Sequence, residues 1–167
     1  METIMKKEKR KTEHYLDNKK FFEEMQKWKK TILEAEQSGE DKPPVTEYIG
    51  LAFLQIAENL AKKPNFVNYQ FKEDMISDGV ENCLMYASNF DPEKSNNPFS
   101  YFTQIIYYAF LRRIQKEKKQ NYIKYKYLES LDKVGDFSEI LRMMGITDEE
   151  KNSFSTFEKK SKGKKKE

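Results

Sequence analysis

Histidine and cysteine are almost missing from this 167-residue chain, which has one of each, His14 and Cys83. A single cysteine excludes a disulfide framework and a cysteine-based zinc site, and a single histidine excludes a histidine-cluster metal site. Glycine is scarce, at 6 residues, and no glycine-rich phosphate-cradling loop occurs. Hydrophobic residues make up 37% of the chain in short runs, far from the roughly 20 consecutive apolar residues that span a bilayer. The lysine-rich start lacks the apolar stretch of a secretory leader, so no membrane or export role is expected. Carboxylates such as Glu58, Asp74 and Asp78 come without any pocket signal, so no enzyme, cofactor or small-molecule substrate is expected.

Charge is present in both signs and is segregated. Residues 71–94 carry six acids (Glu73, Asp74, Asp78, Glu81, Asp91, Glu93) against two lysines. Residues 112–126 carry seven bases (Arg112, Arg113, Lys116, Lys118, Lys119, Lys124, Lys126) against Glu117 alone. The last nine residues hold six lysines and one acid. Such segregation reads either as two partners of opposite sign or as solvated helix faces with a solubility tail.

Helical periodicity dominates. Phe21, Met25, Trp28 and Ile32 recur at i, i+4, i+7 and i+11, one buried stripe. QSGEDKPP at 37–44 breaks the pattern. Thr46 is an N-cap for a helix running to Lys63, apolar on much of its circumference and therefore central to the core. A further helix is predicted over 72–89, carrying Met75, Ile76, Val80, Cys83, Leu84 and Ala87, and it stops at Phe90-Asp91-Pro92. Asn97 and Pro98 supply an N-cap and an N1 proline for a helix over 98–119, with a stripe of Phe99, Phe102, Ile105/Ile106, Ala109 and Phe110. A short amphipathic helix is predicted over 136–144, ended by Gly145. No strand pattern appears. The expectation is an all-α chain: a flexible N-terminal extension over 1–18, a compact helical domain over 19–127, and a C-terminal appendage over 128–167.

The segment from Asp74 to Gln115, DMISDGVENCLMYASNFDPEKSNNPFSYFTQIIYYAFLRRIQ, orders several recognisable pieces. They are an acidic helix start closed by glycine, Asn89-Phe90-Asp91, a polar loop, and Phe99-Ser100 opening an aromatic helix. This series resembles region 2 of the sigma-70 family, the promoter-recognition subunits of bacterial RNA polymerase. With Trp28-Lys29 and the long helix before it, residues 46–127 look still more like the compact late-transcription sigma factors of T-even-type bacteriophages. The resemblance covers half to two thirds of the chain.

The resemblance implies a fold, partners and site residues. The fold is the compact helical region 2 domain. The acidic helix of the family docks on a coiled coil of the polymerase largest subunit, and Asp74, Ser77, Asp78, Leu84 and Met85 fall at the corresponding outward positions. Asp74 also reads simply as a favourable charge at a helix N-terminus. The aromatic helix of the family melts and holds promoter DNA. Phe102 falls where a flipped adenine is stacked, and Phe99 where an aromatic supports the non-template strand, although both also lie on the core stripe. Tyr101, Tyr107 and Tyr108 lie off that stripe, as exposed aromatics in need of a partner. The family's tandem tryptophans fall on Ile105 and Ile106, and its reader of the upstream edge of the minus-ten element falls on Ala109; these are departures. Arg112, Arg113, Lys116 and Lys119 would meet phosphates of duplex or melted DNA, or form a solvated basic helix end.

No helix-turn-helix pattern is found after Tyr127, so a second DNA-binding domain is not expected. In the phage late factors a C-terminal hydrophobic-acidic patch tethers the protein to the replication sliding clamp, and a co-activator assists; here Phe154 and Phe157 are the candidate patch. The alternative is that both pack back on the domain. The implied location is the host bacterial cytoplasm. Two other readings remain: a polymerase-binding regulator or anti-sigma mimic that blocks initiation, and a helical nucleic-acid module that needs no polymerase.

Overall fold

The computed structural model describes residues 15–130, 137–143 and 146–147. All regular structure among them is helical, as the periodicity predicts: α1 (Asn18–Ser38), α2 (Glu47–Ala61), α3 (Lys72–Tyr86), α4 (Pro98–Ser130) and α5 (Phe137–Met143). No helix among the described residues is long and apolar enough to cross a membrane. The chain divides into two compact units, Met1–Phe110 and Leu111–Glu167, and α4 contributes to both.

In the first unit the caps set the helix limits. The Asp17 carboxylate accepts the N–H groups of Lys19 and Lys20 at 2.9 and 3.2 Å, which starts α1. Gly39, at φ 72°, stops it, and the N–H groups of Gly39 and Glu40 both return to the Ala35 carbonyl. Leu16, within the segment 1–18 expected as an extension, is buried. The 37–44 breaker is fastened to the helix before it, because the Trp28 indole N–H donates to the carbonyls of Pro43 and Pro44 at 3.3 and 2.9 Å.

Thr46 caps α2, its hydroxyl oxygen accepting the Ile49 N–H at 3.4 Å. A single turn of 3-10 helix, Ala87–Asn89, completes the helix predicted over 72–89. The Lys29 ammonium donates to the Ser88 carbonyl there at 2.6 Å, a cation placed at a helix C-terminus. Asn97 caps α4, accepting the Ser100 N–H at 3.0 Å, with Pro98 in the first turn as expected.

The core of this unit is aromatic. The Phe102 ring centroid lies 4.5 Å from that of Phe53, 5.8 Å from Phe21 and 5.9 Å from Phe90. Side chains from α1, α2, α4 and the segment after α3 therefore meet on one ring. The buried positions of α3 are Met75, Gly79 and Cys83, spaced by four, and the small residue among them lets α4 come close.

In the second unit, α4 continues to Ser130 rather than stopping near Lys119. No glycine or proline occurs between Pro98 and Ser130, and ion pairs Arg113–Glu117 (3.3 Å) and Lys126–Glu129 (2.7 Å) run along this part of the helix. Tyr122, Tyr125 and Leu128 pack on a small apolar cluster of Leu141 and Ile146. The Ile146 N–H returns to the Leu141 carbonyl at 3.0 Å, the bond that closes a helix C-terminus. Gly145 itself lies outside the described residues.

Candidate nucleic-acid and partner interfaces

The acidic face of α3 is built by periodicity. With Met75, Gly79 and Cys83 turned inward, Glu73, Asp74, Ser77 and Glu81 are exposed, and Asp78 is half-buried at the margin. Leu84 and Met85 extend the same helix with apolar surface, 43% and 58% exposed. All five residues assigned from the sequence to polymerase docking are therefore at least partly accessible. Asp78 is also anchored: its main-chain carbonyl accepts the Asn82 amide at 2.7 Å. Glu73 and Asp74 lie in the first helical turn, where a carboxylate is favourable even without a partner.

The aromatic helix divides differently from the sequence expectation. Phe102 and Ile106 are both fully buried, so neither can stack a base or wedge a duplex in this arrangement. The reason is the position of Phe102 among Phe21, Phe53 and Phe90, a ring cluster that removal of Phe102 would empty. Ala109, at the position of the family's edge reader, is buried as well. Tyr101 is only half-exposed; its ring meets Phe90 at 5.3 Å and Phe102 at 5.0 Å, and burial pushes its hydroxyl pKa up. Ile105 is half-buried.

What α4 presents instead is a groove of about 600 Å³ lined by Asn97, Phe99, Ser100, Thr103, Gln104, Tyr107 and Tyr108. Phe99 is half-buried, and Tyr107 and Tyr108 are 38% and 52% exposed. These positions recur at three- and four-residue intervals and so occupy one face of the helix. The Thr103 hydroxyl donates to the Phe99 carbonyl at 2.6 Å, which holds that hydroxyl along the helix. Tyr107 also rests edge-on against Phe66, their centroids 5.7 Å apart, so it is seated as well as accessible. Aromatic faces with amide and hydroxyl groups between them can stack an unpaired base and meet its polar edge.

A second hollow of about 490 Å³ is lined by Tyr15, Leu16, Asp17, Asn18, Asn97 and Phe99. Tyr15 and Phe99 are in tilted ring contact at 6.0 Å, and the Asn18 side-chain carbonyl accepts the Phe99 N–H at 3.2 Å. The sequence reading assigned none of Tyr15, Asp17, Asn18, Asn97, Thr103 or Gln104 to a site. The α4 members share the spacing of Tyr108 and could have been found from it; Tyr15 and Asn18 reach Phe99 across more than 80 residues, which no local pattern encodes.

In the second unit Arg112, Lys116 and Lys119 are exposed along α4, and Arg113 is tied to Glu117 at 3.3 Å. Arg113 is therefore partly neutralised within the helix. Phe154 and Phe157 lie outside the described residues. Cys83 is fully buried on α3, and burial pushes its thiol up to about 12. No family model matches the chain, and no curated protein matches it.

Proposed function

We propose that this chain is a transcription initiation factor of the late phage sigma type, which binds bacterial RNA polymerase core and directs it to a minus-ten-like promoter element. The observation that carries the reading is the pairing, on one helical unit, of an accessible acidic-apolar face on α3 with an open tyrosine-lined groove on α4. The order of motifs from Asp74 to Gln115 gives these two faces their partners.

Docking begins at α3. Asp74, Ser77 and Asp78 meet a basic coiled coil of the largest subunit, and Leu84 and Met85 supply the apolar contact. Carboxylates on an exposed helix accelerate and orient such an encounter, and salt weakens it. The α4 groove then takes the melted non-template strand, with Phe99, Tyr107 and Tyr108 as stacking surfaces in place of the buried Phe102. Unstacking is cheapest at flexible A·T-rich steps, which suits a short minus-ten element. Arg112, Lys116 and Lys119 add salt-dependent phosphate contacts that position without specifying. Phe154 and Phe157 tether the factor to a sliding clamp, raising its local concentration at the promoter, with a co-activator assisting. The setting for this activity is the host bacterial cytoplasm.

The test is the affinity of the full chain for purified core polymerase at low and high salt. Wild type binds, and binding falls with salt. An Asp74→Lys/Asp78→Lys variant loses at least tenfold at low salt, while a Tyr107→Ala/Tyr108→Ala variant binds core like wild type. Equal affinity of wild type and the charge-reversed variant would overturn the docking assignment.

A further inference from the structure

We propose that the outer stripe of α4 in the second unit, Arg112, Lys116, Lys119, Ile123 and Tyr127, is a docking site for the α3 face of a second copy of this chain. The pairing is head-to-tail, acidic face on basic stripe. It goes beyond the reading of the chain as an initiation factor and does not depend on it.

The stripe follows from helical spacing. Arg112, Lys116, Lys119, Ile123 and Tyr127 stand at i, i+4, i+7, i+11 and i+15, so they share one side of α4, opposite the buried Ile114. Each of them is exposed, Ile123 by 49% and Tyr127 by 64%. The ion pairs Arg113–Glu117 and Lys126–Glu129 run off this line, and Lys116 and Lys119 form no ion pair with a described residue. The same holds on α3, where Asp74 and Glu81 are exposed and unpaired among the described residues. Both helices therefore present charge that the fold itself does not use.

The order of residues along the stripe selects its occupant. Charge comes first on α4 and apolar surface last, and α3 repeats that order with the opposite sign, Asp74 and Glu81 before Leu84 and Met85. The lengths agree as well: at the helical rise, Asp74 to Leu84 spans about 15 Å and Arg112 to Ile123 about 16.5 Å. Laid side by side in parallel, the two helices set Asp74 against Arg112 and Lys116, Glu81 against Lys119, and Leu84 with Met85 against Ile123 and Tyr127. An antiparallel setting would put Asp74 against Ile123 and Leu84 against Arg112, losing both kinds of contact. A phosphate backbone matches the three cations but gains nothing from Ile123, whereas a second α3 takes that side chain out of water. Residues 71–94 hold four more acids than bases and residues 112–126 six more bases than acids, so two copies attract through these faces. A copy held in this way has its α3 face covered, and the pairing excludes any other partner of that face.

Exposed ion pairs are individually weak, so the pairing is reversible and shows at high concentration. Sedimentation equilibrium of the full chain at up to about 1 mM reaches dissociation constants in the millimolar range. Wild type is expected to show a mean mass above that of one chain at about 0.1 M salt, falling towards one chain at about 1 M. Asp74→Lys/Glu81→Lys and Lys116→Glu/Lys119→Glu, each checked for folding by Trp28 emission, should each weaken association by about tenfold or more. One chain carrying all four changes should associate again, because both faces are reversed together and the net charge is unchanged. A wild type that stays a single chain at every concentration would overturn the proposal, and so would a fourfold variant that does not recover. A Lys116→Glu/Lys119→Glu variant that loses binding of duplex DNA but associates like wild type would give the stripe to phosphates instead. Polymerase enters none of these measurements, so the pairing and the initiation reading stand or fall separately.

Discussion

A Cβ placed on Gly79 would lie 2.9 Å from Cγ2 of Ile106, and 3.1 Å from a ring carbon of Phe110. The glycine that closes the acidic motif of α3 is thus a place where the α3 backbone lies directly against side chains of α4. Its value is the missing side chain, since the backbone there is ordinary helix. Gly79→Ala gains about 1 kcal/mol of helix propensity but crowds a β-branched side chain that cannot swing aside. Crowding of this kind costs about 1–3 kcal/mol, so a net loss of stability is expected. Denaturant melting will show it, and the loss should shrink in an Ile106→Ala background, where the opposing atom is gone.

Phe102 and the tyrosines of α4 should separate stability from binding. Phe102→Ala empties the centre of the ring cluster and should cost about 3–5 kcal/mol, read from the red shift of Trp28 emission in denaturant. Tyr108→Ala, at a half-exposed position, should change stability by no more than about 0.5 kcal/mol and should weaken single-stranded DNA binding about 5-fold or more. The converse pattern, a stable Phe102→Ala protein that has lost DNA binding, would return the stacking role to Phe102.

These two helices also show what was legible in the sequence. Caps at Thr46, Asn97 and Pro98 and the stripe of Phe21, Met25, Trp28 and Ile32 were readable because they are local and periodic. The outward positions of α3 followed from the same periodicity. Phe102 was ambiguous because an aromatic on a core stripe and one matched to a stacking position look alike in one dimension. Only the convergence of Phe21, Phe53 and Phe90, from 81 to 12 residues upstream, decides it. The hollow at Tyr15 was invisible for the same reason, as it joins residues at opposite ends of the first unit. The extension of α4 past Lys119 was not legible because the predicted apolar stripe ends at Phe110, whereas no glycine or proline breaks the helix before Ser130.

Cys83 gives a pH prediction. Its thiol, ordinarily near 9.0, is pushed up to about 12 by burial, so the folded state keeps a proton that the unfolded chain releases first. The stability that goes with this is fully present below about pH 9 and is lost as pH rises from there through about 12. Wild type should therefore lose more stability than Cys83→Ala between pH 9 and 11, measured by denaturant midpoint. The native thiol should also resist alkylation at pH 8 and react only on unfolding.

The Trp28 indole bonds to the Pro43 and Pro44 carbonyls, and this predicts a modest structural role for the sole tryptophan. Trp28→Phe removes the donor while keeping most of the buried ring, and should cost about 1–3 kcal/mol including the imperfect fit. Amide exchange at Lys42, Val45 and Thr46, which flank the two prolines, should quicken in the variant. Unchanged exchange there would mean that the diproline segment is held by other contacts.

The central claim is that the α3 face and the α4 groove act together to start transcription. Its most direct test is initiation by bacterial core polymerase with this protein, the cognate sliding clamp and the co-activator. Templates carry either a TATAAATA-like element or a scrambled one. The account predicts RNA starting at the intact element only, lost in both Asp74→Lys/Asp78→Lys and Tyr107→Ala/Tyr108→Ala, with core binding retained in the second variant. A wild-type protein that binds core and starts no RNA on either template would contradict the account.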